Sequence, residues 1–186
     1  MKRAGALLAA LVLAGCASSA PEPVTDREYD PGERPWQEIE AKLPPYPQPE
    51  NLIEFRVSPA INLRHFVDAD SISVGEDRVV RYTVVIRSPQ GAQNVFFEGL
   101  LCGKVARKLY ATGNRDGTWS PARDPEWERI TANRQSMYQK ILYEDFFCPG
   151  RKTTVKDQAE AVAALKRGYH PDSLDAYQRS SGGTGE

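Results

Sequence analysis

The sequence predicts an α+β fold, an antiparallel β-meander of about five strands with two or three helices packed on it. Two observations carry that prediction. Residues 79–102 hold two runs rich in β-branched and aromatic residues on either side of Pro89-Gln90-Gly91, the pattern of a β-hairpin. The last third of the chain changes to helical spacing: Tyr138, Ile141, Leu142 and Phe146 share one stripe of residues 133–147, and Val155, Ala159, Val162 and Ala163 one side of residues 155–167. With 186 residues, 40% of them hydrophobic and 26% charged, the chain suits one soluble domain with tails.

The elements follow in order. Lys2 and Arg3 precede an apolar run, residues 4–14, that is too short to span a bilayer and reads as a signal peptide. The run ends in Leu13-Ala14-Gly15-Cys16, which resembles the lipobox of bacterial lipoproteins. The resemblance implies cleavage before Cys16, lipidation of its sulfur and new amine, and anchoring in a membrane of a Gram-negative bacterium. Ala17 in place of an aspartate after the lipidated cysteine implies sorting to the outer membrane, facing the periplasm. Cys102 and Cys148 then remain for an oxidising compartment, and they are expected to form one disulfide.

Residues 17–50 carry eight of the fourteen prolines among Glu, Ser and Gln, the composition of a semi-rigid spacer. Within it, Pro35 followed by Trp36-Gln37-Glu38-Ile39 predicts two helical turns that dock through Trp36 and Ile39. The expected organisation is a signal peptide over 1–15, a lipidated N-terminus and linker over 16–50, a globular domain over 51–176 and a disordered tail over 177–186.

Inside the domain, residues 52–57 and 63–67 alternate as half-buried strands, and 68–75 form a turn and a short strand. Residues 104–110 give a further strand, 113–117 a turn and Thr118-Trp119 a short return. Asp124-Pro125-Glu126-Trp127 has the form of a helix N-terminus. The last helix stops at Gly168.

The central hairpin admits two registers. A three-residue loop sets Val84 opposite Phe96 and places Glu98 on the face of Val80, Tyr82, Val84 and Ile86. A loop one residue longer sets Val84 opposite Phe97 and moves Glu98 to a polar face with Arg81, Thr83, Arg87 and Asn94. The second is favoured, because burying an unpaired carboxylate costs several kcal/mol. Arg81, Arg87, Asn94 and Glu98 then form a candidate ligand face, with Tyr110, Trp119 and Trp127 near it. The plainer reading is a solvated face whose Arg81–Glu98 pair is worth under about 1 kcal/mol.

Motifs for specific chemistry are missing. Asp68-Ala69-Asp70 opens like a calcium loop, but Ile72, Ser73 and Val79 stand where an oxygen ligand, a glycine and a glutamate are required. His65 and His170, the two histidines, do not lie at metal-ligand spacing, and no glycine-rich loop precedes a helix. No metal or cofactor is expected. The mature chain carries a formal charge of −3 and no basic cluster, so nucleic acid is not an expected partner.

Residues 68–83, then Gly91-Ala92-Gln93-Asn94-Val95-Phe96-Phe97-Glu98-Gly99-Leu100-Leu101-Cys102, Tyr110-Ala111, Gly117-Thr118-Trp119 and Trp127-Glu128-Arg129-Ile130 resemble the cryptic neisserial protein family of envelope proteins. With Trp36 and Leu43-Pro44-Pro45-Tyr46-Pro47, the resemblance covers about residues 36–150. It brings no reaction, ligand or catalytic residue. Residues 68–82 are more distantly similar to surface modules of the adhesin E type, which implies binding only by analogy. The expected function is a non-enzymatic, lipid-anchored envelope module with a protein or glycan partner. The alternatives are a surface adhesin and a small envelope hydrolase whose residues converge only in the fold.

Overall fold

The computed structural model describes residues 35–58, 62–131, 133, 136–151 and 153–173. The signal segment, Cys16, most of the spacer and the tail lie outside the described residues.

Seven strands form one antiparallel sheet: β1 (Leu52–Phe55), β2 (Arg64–Val74), β3 (Val79–Arg87), β4 (Gln93–Leu101), β5 (Ala106–Gly113), β6 (Trp119–Pro121) and β7 (Glu128–Arg129). Their order is β1-β2-β3-β4-β5-β6, and β7 pairs with the other end of β5. The expected meander is present, extended by two short strands. The α+β class holds, with helices α1 (Met137–Ile141) and α2 (Gln158–Arg167) on one face.

That face carries the main core. Val80, Tyr82, Val84, Ile86 and Leu100 pack against Tyr138, Leu142, Phe146, Phe147 and Leu165. After α1 the helix widens into a π-helical stretch, Leu142–Phe147, where Cys148 N–H reaches back five residues to the Tyr143 carbonyl at 3.1 Å. The wider turn puts Leu142, Tyr143, Phe146 and Phe147 all inside. It delivers Cys148 to Cys102 just beyond β4, and the expected disulfide is formed, with Cα atoms 5.4 Å apart. α2 begins later than residue 155, because Asp157 caps it by accepting from Glu160 N–H at 2.9 Å. It ends where expected, at Gly168 with φ 89°.

The opposite face is covered as well, by residues 35–48, an extended strap instead of the two helical turns expected at Pro35. Asp77 and Arg81 take the backbone groups that a helix would pair internally: Ile39 N–H donates to Asp77 at 2.8 Å, and Arg81 donates to the Ile39 carbonyl at 2.6 Å. Trp36 still docks, donating to the Asp77 carbonyl at 2.8 Å, while Ile39 stays 47% exposed. Further along, Glu38 accepts from Lys108, Tyr110 and Trp127 at 2.8, 2.7 and 3.0 Å. Trp119 donates to the Pro44 carbonyl at 2.9 Å. Aromatic donors thus hold a proline-rich segment in the manner of a polyproline ligand.

Burial alone would raise the Glu38 and Asp77 carboxyls, but these donors outweigh it and hold both below the usual carboxylate value. A lowered folded pKa contributes stability above the unfolded value that is lost as pH falls through the folded one. Acidification should therefore loosen the strap. Glu38→Ala is expected to cost about 1–3 kcal/mol and to speed hydrogen exchange in residues 35–48 while β3 and β4 keep their protection. Unchanged exchange in the strap would contradict its dependence on Glu38.

The remaining differences are local. Asp124 adopts φ 46° instead of capping a helix, and the chain continues into β7, where Arg107 meets Glu128 at 2.6 Å. Asp68-Ala69-Asp70 lies inside β2 at a bulge. There the Ser71 hydroxyl donates to the Asp68 carbonyl and accepts from Thr83 N–H, both at 2.7 Å, bridging the break in the ladder. The helix expected from residue 133 begins at Met137; ahead of it Asn133 accepts from Ser136 N–H at 2.9 Å.

Candidate functional site

The hairpin register is the first of the two alternatives: Val84 pairs with Phe96 and Tyr82 with Glu98. This corrects the favoured one. Both faces of the sheet are covered, so no solvated face is available to receive Glu98. Glu98 is 2% exposed, yet Tyr138 and Tyr82 hydroxyls donate to it at 2.8 and 2.9 Å and the Gln139 amide at 3.2 Å. A buried carboxylate supplied with donors is tolerated where an unpaired one is not. Burial dominates all the same, raising the Glu98 carboxyl above its ordinary value despite those donors and the Arg107 charge.

The proposed polar face is accordingly divided. Arg81 lies beneath the strap, 5% exposed and 2.6 Å from Asp77, and Arg87 shares its side of β3. Arg87 sits over the Phe66 ring at 4.9 Å and donates to Gln93 at 2.9 Å. Asn94, opposite Ile86, is exposed at the hairpin end on the side of Glu98. Tyr110, Trp119 and Trp127 hold the strap, as described above.

What the fold does bring together is a cleft at the hairpin end, on the helical side of the sheet. Its volume is about 490 Å³, within the range of small-molecule sites. Val57, Leu63, Ile86 and Met137 supply an apolar lining, and His65 and Tyr138 form one wall. The two rings stack with centroids 5.9 Å apart, and Phe55 backs His65 at 5.8 Å. Burial pushes the His65 imidazole below its ordinary value, offset in part by a hydrogen bond with the Leu63 backbone. Burial thus disfavours the charged imidazole, and among the described residues no Asp, Glu, Lys or Arg lines the cleft. Ser88, Pro89 and Gln90 from the β3–β4 turn rim the opening.

Glu98 stands behind this wall, reached through the Tyr138 hydroxyl. Its hydrogen bonds with Tyr138 and Gln139 tie α1 to the sheet. Among the described residues no group of three metal-ligating side chains gathers. The cleft's residues come from the β1–β2 connection, β2, β3, the β3–β4 turn and α1, so no local motif announces it. The one legible signal is Tyr138 and Met137 at the start of the amphipathic stripe.

A family model described as the CNP1-like family matches residues 32–166. Cryptic neisserial protein 1 of Neisseria gonorrhoeae (strain ATCC 700825 / FA 1090) is 28% identical over 134 residues, covering 63% of this chain and 66% of the relative, a little under two thirds of its length. No solved structure matches.

Proposed function

The chain belongs to the CNP1-like family, and on that premise we propose that it is a lipid-anchored module of the bacterial outer membrane, facing the periplasm, that binds a partner without catalysing a reaction. The single observation that carries the binding role is the uncharged cleft at the hairpin end, with the perturbed carboxylate sealed behind Tyr138. An acid–base enzyme would need Glu98 within reach of substrate, whereas Tyr82, Tyr138 and Gln139 occupy its oxygens. His65 lines the cleft, but among the described residues no hydrogen bond joins it to a nucleophile. An apolar group of an envelope protein or glycan conjugate fits this lining best.

The anchor is supported by the lipobox resemblance at Cys16. Where Cys16 carries lipid, the chain enters the domain at Trp36, beside Asp77. The cleft lies at the other end of β3, where Arg87 pairs with Gln93, which favours presentation away from the membrane.

In cells fed labelled fatty acid, the wild-type chain should take up label and fractionate with outer membranes, and Cys16→Ser should do neither. A photo-crosslinker at Leu63 should capture a discrete envelope species that a crosslinker at Lys156, on the far side of the domain, does not. Absence of label would remove the anchor. Identical capture from both positions would remove the cleft as the binding site.

A further inference from the structure

Beside the cleft, across the β3–β4 turn, lies a second concavity of different chemistry. It runs between that turn and the β5–β6 turn and has a volume of about 1,050 Å³. We propose that this groove is a binding site for an uncharged oligosaccharide.

Both walls are fixed by their own hydrogen bonds. In the first turn Gly91 N–H donates to the Ser88 carbonyl at 3.0 Å and Ala92 N–H to the Ser88 hydroxyl at 3.1 Å, with Gly91 at φ 85°. In the second, Gly117 N–H donates to the Asn114 carbonyl at 3.2 Å and Thr118 N–H to Asp116 at 3.0 Å, with Gly117 at φ 81°. Glycine at 91 and 117 satisfies the left-handed backbone. A groove of this kind is organised before any ligand arrives.

The floor is Tyr46 of the strap. Its hydroxyl donates to the Asn114 carbonyl at 2.8 Å, and its ring lies 5.4 Å from that of Trp119. Gly113 makes room for the ring: a Cβ there would stand 2.9 Å from Tyr46 Cε2 and 2.7 Å from Val95 Cβ. An aromatic ring held half-exposed at the bottom of a polar groove offers a flat apolar surface to the C–H face of a pyranose.

The rim is rich in side-chain amides. The side-chain amides of Gln90 and Asn94 make no hydrogen bond among the described residues, and both residues are exposed. Gln93 accepts from Arg87 through its oxygen at 2.9 Å, which leaves its amide nitrogen to donate. Each free amide offers two donors and one acceptor, the set that pairs with adjacent hydroxyls acting as both. Arg115 and Asp116 stand side by side in the second turn, so the groove has no net charge of its own. A phosphorylated or strongly anionic ligand gains nothing from that pair. A peptide strand finds little sheet edge here: β3 is paired on both sides, and only residues 93–95 of β4 run past its last pair with β5, Phe96 with Thr112. Neutral sugar is the chemistry left to a surface of amides over a tyrosine ring.

The groove does not depend on the Tyr138 cleft, although Gln90 borders both. Isothermal titration of the full chain with chitotetraose and maltotetraose should give saturable binding to a tetrasaccharide, with Kd on the order of 1 mM or tighter, and none to tetraglycine. Gln93→Ala and Asn94→Ala, at exposed positions where the fold is kept, should each weaken binding roughly tenfold. Leu63→Glu, which charges the neighbouring cleft, should leave it unchanged. Failure of both tetrasaccharides to bind, equal affinity in Asn94→Ala and wild type, or equal binding of tetraglycine would overturn the proposal. Loss of sugar binding in a folded Leu63→Glu chain would overturn it too, by moving the site to the cleft.

Discussion

Glu98→Ala is expected to destabilise the domain by roughly 3–5 kcal/mol, the combined cost of leaving three buried donors without their acceptor and of the cavity left behind. Tyr82, Tyr138 and Gln139 would each keep a donor aimed at an empty space in the dry interior between sheet and α1. The missing side chain also leaves a cavity in a fully packed layer. Glu98→Gln is the informative companion, because it preserves the shape and one acceptor while the tyrosine hydroxyls rotate to suit the new amide.

The two variants also separate charge from packing through pH. The folded pKa of Glu98 is raised above its ordinary 4.5. Stability from the neutral carboxyl is therefore fully present below that value and declines as pH rises towards the folded pKa, after which it is level. Glu98→Gln lacks this decline. Urea unfolding of wild type and Glu98→Gln across that window should show the wild type losing ground to the variant as pH rises. The strap carboxylates Glu38 and Asp77 have the opposite sign, but they are common to both proteins and cancel in the difference. A Glu98→Ala chain as stable as wild type to within about 0.5 kcal/mol would show that the network contributes nothing net.

Replacing Cys102 and Cys148 together by serine is expected to lower the unfolding free energy by a similar amount. The bridge closes a sequence separation of 46 residues. Chain-entropy scaling gives roughly 4 kcal/mol for a loop of this size. The bridge also ties the end of β4 to the π-helical stretch whose residues fill the core over Tyr82, with the Tyr82 and Phe147 rings 5.4 Å apart. Its loss should let that stretch open before the hairpin does. Denaturant titration followed by tyrosine environment and by far-ultraviolet dichroism should then give separate transitions in the variant and a single one in wild type. Coincident transitions with an unchanged midpoint would mean the bridge is dispensable.

Strand order, the hairpin, the amphipathic stripe within residues 133–147, the last helix with its glycine stop and the single disulfide were all legible in the chain. Each depends on local chemistry: β-branched runs, turn residues, periodicity 3.6, and two cysteines placed at element ends. Register was not legible. In Val95-Phe96-Phe97-Glu98-Gly99-Leu100-Leu101 both alternating sets are largely apolar, so patterning alone does not say which one faces the helices. The tie is broken by Tyr138 and Gln139, some forty residues away, whose donors make the buried position of Glu98 the satisfied one.

The same reason explains the strap and the candidate sites. Residues 35–48 read as part of a proline-rich spacer with two helical turns at Pro35, and those turns are replaced by an extended course; what the strap lies on is decided by Asp77, Arg81, Tyr110 and Trp127, none of them near in sequence. The cleft joins the β1–β2 connection, β2, β3, the β3–β4 turn and α1, and the amide groove joins two turns and the strap. By itself the sequence determined the class of fold, its element order, its covalent staple and the family resemblance. Tertiary structure alone decided which face Glu98 occupies, what covers the second face of the sheet and where concave surfaces arise, because those outcomes depend on hydrogen-bond partners and close packing between residues far apart in the chain.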